Sequence, residues 1–141
     1  GQRLVVRPDL GNAIPVIDDG PWPQFPTDLM SCTLVMATRA RGTVLFFEKM
    51  FESRMYFVDR LIQMGANAVV CDPHRVVISG PARLHGIEMS SPDIRAGMAL
   101  LIAALCANGR SIIHNADVIA RGYADIVPQL GALGGRIEPR P

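Results

Sequence analysis

The sequence predicts a mixed α/β fold made of two copies of one unit, because a single pattern of residues occurs twice along the chain. Each copy starts with an aspartate at the beginning of an apolar helical segment that ends at a glycine, and an arginine follows at a similar distance. These residues are Asp28 and Arg54 in the first copy, and Asp93 and Arg121 in the second. The duplication therefore places matching charged residues at matching corners of the fold.

The first copy is predicted to alternate helices with short strands. Thr27 and Asp28 indicate a helix start, because a threonine can cap the first turn and an acidic residue favours the positive end of the helix dipole. Gly65 is a typical residue at a helix C-terminus. In chain order, the pattern predicts a short strand over 13–17, a helix over 29–40, a strand over 43–48, a helix over 54–64, and a hairpin of strands over 68–71 and 76–78.

The second copy repeats this order and contains the most informative helix. The pattern predicts a strand over 84–89, a helix over 93–106, a strand over 111–114, a helix over 123–133 that contains Pro128, and a last strand over 136–138. The helix over 93–106 is apolar on almost every face, and a helix of that kind must be surrounded by protein. We therefore expect the helices inside and the strands outside.

Composition narrows the class of protein. At 141 residues, with 49% hydrophobic and 19% charged residues, the chain is typical of a soluble globular domain with a sizeable core. A net charge of +1 gives no reason to expect a nucleic-acid or membrane partner. The longest apolar run, over 98–107, is too short to cross a bilayer, and the first residues do not resemble a signal peptide. Three cysteines without a paired motif favour buried free thiols in the cytoplasm: Cys32, Cys71 and Cys106.

Five short motifs occur along the two copies. They are Phe25-Pro26-Thr27-Asp28-Leu29, Phe51-Glu52-Ser53-Arg54-Met55, Met64-Gly65-Ala66, Asp93-Ile94-Arg95-Ala96 and Arg121-Gly122-Tyr123. In this order, from Trp22 to the C-terminus, the chain resembles the enolpyruvyl transferase family. The resemblance implies an inside-out α/β barrel of repeated βαβαββ units, with helices inside and sheets outside. It implies two of the three units of one domain, with an irregular segment over 1–25, a first unit over 26–82 and a second unit over 83–141.

The resemblance also implies an activity. Enzymes of this kind are carboxyvinyltransferases, and the motifs fit the branch that moves the enolpyruvyl group of phosphoenolpyruvate to the 3-hydroxyl of UDP-N-acetylglucosamine with release of phosphate, in peptidoglycan precursor synthesis. Such chemistry needs a base for the hydroxyl proton and cations around the phosphate and carboxylate, and it implies no cofactor and no metal. The N-terminal half of such an enzyme, with its lysine and its cysteine loop, is expected to lie outside this chain, which would be inactive alone.

The resemblance assigns roles to individual residues. Asp28 is the carboxylate that meets the sugar hydroxyl, and Met50 lies where the family contacts the nucleotide sugar. The residues expected near phosphoenolpyruvate are Arg54, Asp93, Arg95 and Arg121, and the catalytic pair is Asp28 and Arg121. Guanidinium groups suit this substrate because their planar fork binds oxyanions bidentately and keeps its charge. Two positions differ from the family's pattern: Ser53 stands where the family has asparagine, and Ala120 where it has an acid.

Other interpretations stay open on the residues themselves. A second enzyme hypothesis is the sibling transferase that acts on shikimate 3-phosphate. A non-enzyme hypothesis is an inactive folded fragment that forms a homo-oligomer through apolar surface left by the missing unit. Asp28 and Asp93 could serve only as helix N-terminal acids. The histidines do not have metal-ligand spacing: His74, His85 and His114.

Overall fold

A computed structural model describes residues 13–52 and 54–140. The helices and strands of this part of the chain are β1 (Val16–Asp18), α1 (Thr27–Arg39), β2 (Gly42–Phe47), α2 (Val58–Gln63), β3 (Asn67–Asp72), β4 (Arg75–Gly80), β5 (Glu88–Ser90), α3 (Ile94–Cys106), β6 (Ile112–His114), α4 (Asp117–Ala120) and α5 (Ile126–Ala132). The mixed α/β class predicted from the sequence is confirmed.

The first copy contains a four-stranded sheet with strand order β1-β2-β4-β3. The predicted hairpin is confirmed: β3 pairs antiparallel with β4, which pairs antiparallel with β2. β1 pairs parallel with β2, so that Asp18 lies opposite Phe47 where both strands end. The helix predicted over 54–64 is shorter, because residues 54–57 form turns and α2 starts only at Val58. Gly65, at a φ of +101°, follows the helix end as expected.

The second copy has a smaller sheet, in which β5 pairs parallel with β6. The helix predicted over 123–133 is wrong in extent, because Asp125 adopts a left-handed conformation, with a φ of 53°, immediately before α5. Pro128 lies in the first turn of α5, where its missing N–H costs nothing. The strand predicted over 136–138 is also wrong, since 135–140 form no strand within the described chain.

The core is formed where α1 contacts the sheet, through β2 and β4, and also contacts α3. The helices α1 and α3 begin and end close to their predicted bounds. The residues with almost no exposed surface include Met30, Leu34, Phe46, Leu61, Ile78, Leu84, Ala99 and Leu100. Residues 96–100 of α3 are all buried, which covers more than one full turn, while Leu105 near its C-terminus is 37% exposed. The first half of α3 is therefore surrounded by protein as expected, whereas its C-terminal end is not.

The prediction that the three cysteine thiols are buried is wrong. All three cysteines are free, but Cys71 and Cys106 are exposed and Cys32 is only partly covered. Cys71 lies on the edge strand β3, and Cys106 is the last residue of α3, so neither faces the core. In the part of the chain that the structure describes, no helix has the length and apolarity needed to cross a membrane.

Gly97 provides a test of how α3 packs. A Cβ at this buried position would meet the Ser91 hydroxyl and would lie 2.8 Å from a carbon of Ile119 on α4. We expect Gly97→Ala to lower the free energy of unfolding by about 1–3 kcal/mol, because the overpacking outweighs the gain in helix propensity. Chemical denaturation measures the change.

The matched control is Gly131→Ala in α5, where an added Cβ meets nothing within 4 Å. This variant should be neutral or stabilising by up to about 1 kcal/mol. Equal effects at the two glycines would show that α3 does not pack as described.

Candidate active site

The polar cluster at the start of α1 is centred on Asp28. Arg95, from the first turn of α3, donates through Nη2 to Asp28 Oδ2 at 2.8 Å. Arg54, from the turn after β2, has its Nη1 atom 3.5 Å from Asp28 Oδ1. The structure thus brings together three of the predicted site residues, from both copies of the unit. Their side chains are a quarter to a half exposed, so the cluster is open to a ligand.

Thr27 connects this cluster to the sheet. The predicted capping role is wrong, because α1 starts at Thr27, two residues before the predicted helix over 29–40, and Pro26 is at the N-cap position. The Thr27 hydroxyl instead donates to the Glu48 carboxyl group, with oxygen distances of 3.0 and 3.1 Å, and accepts a hydrogen bond from Arg54 Nη1 at 3.1 Å. Sequence reasoning missed Glu48, which appeared only as the last residue of a predicted strand.

Asp93 caps the N-terminus of α3. As the N-cap of α3, its Oδ1 atom accepts hydrogen bonds from the backbone N–H groups of Arg95 at 2.8 Å and Ala96 at 2.9 Å. Asp28 lies inside the first turn of α1, so the two aspartates of the repeat are not structurally equivalent. Asp93 fixes the start of α3, and with it the position from which Arg95 reaches Asp28.

Arg95 is held from two sides. Its Nη1 atom donates to the Tyr123 hydroxyl at 3.1 Å, while Nη2 binds Asp28. The hydrogen bond with Tyr123 raises the pKa of Arg95, and the Asp28 charge adds to this effect. A guanidinium has five N–H donors, so Arg95 can keep both contacts and still bind an anion.

Arg54 and Met50 lie on the loop after β2. The Arg54 guanidinium carbon lies 4.0 Å from the centre of the Phe51 ring, which supports a cation–π contact. The backbone N–H groups of Met50 and Phe51 donate to Glu48 Oε1 at 3.3 and 3.2 Å, and the Met50 residue is 43% exposed. An open cavity of about 440 Å³ adjoins the loop and is lined by Asp28, Arg54, Asp93, Ile94 and Arg95. That volume is in the range of small-molecule sites.

Arg121 lies apart from the cluster. Its Nη2 atom is 3.9 Å from Asp117 Oδ2, and its side chain is 70% exposed. Arg54 does not begin the helix predicted over 54–64, because it lies in a turn, and Arg121 follows the C-terminus of α4. Of the two departures from the family's pattern, Ala120 ends α4, and Ser53 lies outside the described residues.

The histidines take part in local contacts. His74 Nδ1 lies 2.8 Å from the Glu48 carbonyl oxygen, and His114 Nε2 lies 2.7 Å from Glu88 Oε1. Over 13–52 and 54–140, no group of three or more His, Cys, Asp or Glu side chains is arranged to hold a metal ion.

The fold and this cluster define the class of protein. The model of the EPSP synthase (3-phosphoshikimate 1-carboxyvinyltransferase) family matches residues 4–130, and the chain belongs to this family. The family predicted from the sequence is confirmed.

Among curated relatives, the chain is similar to proteins named UDP-N-acetylglucosamine 1-carboxyvinyltransferase. It is 58% identical over 140 residues to the one from Bradyrhizobium diazoefficiens, covering 99% of this chain and 32% of the relative. It is 62% identical over 137 residues to the one from Borreliella burgdorferi, covering 97% of this chain and 32% of the relative. The chain therefore spans about a third of the length of these relatives.

Two solved structures are similar in fold. The enolpyruvyl transferase NikO from Streptomyces tendae matches with a TM-score of 0.78 and 30% identity, over 89% of this chain and 29% of the other. An EPSP synthase from Acinetobacter baumannii matches with a TM-score of 0.50 and 21% identity, over 61% of this chain and 21% of the other, which shows the fold alone.

The hydrogen bonds of the Thr27 hydroxyl, which connect Glu48 at the sheet to Arg54 in the cluster, can be tested by substitution. Thr27→Val should lower the free energy of unfolding by about 1–2 kcal/mol, because buried Glu48 loses a donor and Arg54 loses an acceptor. Urea denaturation measures the loss.

Thr33→Val on the same helix is the matched control. Its hydroxyl makes an exposed bond to the Leu29 carbonyl oxygen, and its removal should change stability by less than about 0.5 kcal/mol. A Thr27 variant as stable as the Thr33 variant would contradict the proposed connection.

Proposed function

We propose that this chain is part of a carboxyvinyltransferase that moves the enolpyruvyl group of phosphoenolpyruvate to the 3-hydroxyl of UDP-N-acetylglucosamine. The observation that carries the proposal is the Asp28 carboxylate between two guanidinium groups, in a chain 58–62% identical to relatives named for this activity. The reaction supplies a peptidoglycan precursor and assigns the protein to the cytoplasm, where its nucleotide sugar is available.

Asp28 is proposed as the base that accepts the proton of the sugar hydroxyl. A general base must lie within hydrogen-bond reach of that hydroxyl, and the exposed Asp28 carboxylate at the cavity edge can be reached. Arg54 and Arg95 are proposed to bind the carboxylate and phosphate of phosphoenolpyruvate. Their remaining N–H groups suit this task because bidentate pairs with oxyanions are strong and directional.

Met50, Asp93 and Arg121 have separate proposed roles. The Met50 N–H is donated to Glu48, so contact with the nucleotide sugar would use its carbonyl oxygen and its exposed side chain. Asp93 acts on substrate through Arg95, whose backbone it caps. Arg121 is proposed to join the site when substrate binds, because its only described ion pair is long and largely solvent-exposed.

The rest of the enzyme is proposed to complete the fold. The units over 26–82 and 83–141 would join a third unit to close an inside-out barrel, and the other half of the enzyme would supply the lysine and the cysteine loop. The length comparison supports this, since the chain spans about a third of its relatives. The 1–25 segment is described only from residue 13 onward.

Asp28→Asn tests the proposed base in the longer protein that contains this chain. We expect kcat to fall by about 10²–10⁴-fold, the usual contribution of general acid–base catalysis. Phosphate release with phosphoenolpyruvate and UDP-N-acetylglucosamine measures the rate, and shikimate 3-phosphate as acceptor should give no release. Asp59→Asn, at an exposed position of α2, is the matched control. Full activity of the Asp28 variant, or turnover only with shikimate 3-phosphate, would overturn the assignment.

The 141-residue chain alone should show no turnover in the same assay, because most of the substrate-binding surface would come from elsewhere in the enzyme. Light scattering on the same sample tests the alternative hypothesis of a self-associating fragment. Robust phosphate release by the chain alone would show that the proposed division of the site is wrong.

A further inference from the structure

Two acidic side chains meet in the core at the ends of the parallel strands β1 and β2. Asp19 and Glu48 each follow the last residue pair of these strands, and both are 0% exposed. The Asp19 N–H donates to the Phe47 carbonyl oxygen at 3.3 Å, which keeps the two chain ends side by side. Each carboxyl group shifts the pKa of the other, lowering that of Asp19 and raising that of Glu48. Two buried carboxylates in contact cannot both be ionised without a large electrostatic cost.

The hydrogen bonds around the pair show where a proton is needed. Glu48 accepts from the Thr27 hydroxyl and from the backbone N–H groups of Met50 and Phe51. Asp19 Oδ1 accepts from the Lys49 backbone N–H at 2.5 Å. Asp19 Oδ2 is buried, and if both acids are ionised, it has no hydrogen-bond donor within the described chain. A proton on the Glu48 carboxyl group would supply the missing donor.

We propose that Asp19 and Glu48 share one proton, and that protonated Glu48 is a positioning residue for Arg54 and the loop after β2. The second part rests on the proposed function, since it concerns the anion that Arg54 would bind. Glu48 acts on Arg54 by two routes. In the first, the Thr27 hydroxyl donates to the Glu48 carboxyl group and accepts from Arg54 Nη1. In the second, Glu48 accepts from the backbone N–H of Phe51, and the Arg54 guanidinium packs on the Phe51 ring.

The electrostatics agree with this assignment. Burial, together with the hydrogen bond and charge of Asp19, raises the pKa of Glu48 to about 7. Burial opposes ionisation of Asp19 as well, but hydrogen bonds from Glu48 and from the Lys49 N–H lower its pKa overall. The proton therefore belongs mainly to Glu48, and the pair titrates as one coupled unit. Besides Asp19, the charged or titratable groups near Glu48 are Arg54, Lys49 and His74, whose ring bonds the Glu48 carbonyl oxygen, with Asp28 beyond Thr27.

The directions of the two pKa shifts predict how the stability of the fold changes with pH. A carboxyl group whose pKa is higher in the folded state holds an extra proton there, so unfolding becomes easier as pH rises. For Glu48 the window runs from the ordinary glutamate pKa of 4.5 to about 7. Asp19 has the opposite effect on stability and acts at lower pH. Because its pKa is lowered in the folded state, it adds stability that is lost as pH falls. Glu48→Gln should remove the fall between pH 4.5 and 7, since a neutral amide can still donate to Asp19.

Carbon-13 NMR of the chain with labelled glutamate carboxyls tests the shared proton. We expect one glutamate to titrate near pH 7, to be missing from Glu48→Gln, and to move toward its ordinary midpoint in Asp19→Asn. Glu138→Gln is the control, because it removes an exposed glutamate paired with Arg140 and should leave the signal near pH 7 in place. If every glutamate titrates between about pH 4 and 5, the shared proton is refuted. The Asp19 variant also keeps the test valid if Glu48 variants fold poorly.

Kinetics of the longer protein test the positioning role separately. Glu48→Ala should raise the KM for phosphoenolpyruvate by about tenfold or more, the factor expected from losing one or two hydrogen bonds that orient a charged ligand. Glu48→Gln should restore the KM to within about threefold of the starting value, with a flatter pH profile near 7. A Glu48→Ala protein that is less stable but has an unchanged KM would reduce Glu48 to a structural residue. The NMR result stands on its own even if the proposed transferase activity fails.

Discussion

The packing of α1 against α3 brings charged groups from the two copies of the unit into one site. Asp28 and Arg95 are 67 positions apart in sequence, yet their side chains meet at 2.8 Å because the two helices are in contact. α3 presents small buried residues, including Ala96, Gly97 and Ala99, which allow close approach. A half-exposed ion pair contributes only about 0–1 kcal/mol, whereas each large apolar side chain buried on folding contributes about 1.5–3 kcal/mol. The apolar contact therefore places the charges, and the charges remain available for a ligand.

The sheet adds a second constraint, through the residues that follow β1 and β2. β1 and β2 end next to each other, and the residues that follow are two acids buried where water cannot solvate them. Such a pair is unfavourable for stability unless a proton and several donors satisfy it. Here the donors are the Thr27 hydroxyl and the backbone of the loop that carries Arg54. The hydrogen bonds that satisfy buried Glu48 thus also hold the loop that leads to Arg54 at the cavity edge.

Local signals predicted those parts of the fold that depend on local interactions. The long apolar segments that form α1 and α3, the hairpin of β3 and β4, and the Gly65 helix end were all recognisable from neighbouring residues. The errors came where the backbone departs from the pattern, as at Asp125, whose left-handed conformation separates α4 from α5. Family motifs brought Asp28, Arg54 and Arg95 into one predicted site. Asp19 and Glu48 were missed because their pairing depends on strand register, which no short motif encodes.

The repeat suggested equivalent roles for Arg54 and Arg121, but their surroundings differ in a way that bears on substrate binding. Arg54 is fixed by Thr27, by Asp28 and by the Phe51 ring, so it is already oriented for an anion. Arg121 is 70% exposed and would lose side-chain freedom on joining the site, at about 0.5–1.5 kcal/mol. A charge-assisted hydrogen bond to phosphate contributes about 1.5–3 kcal/mol, which is enough to offset that loss. Under the proposed function, Arg121 would therefore close on phosphoenolpyruvate that Arg54 and Arg95 already hold, and its contribution would appear in the step after binding.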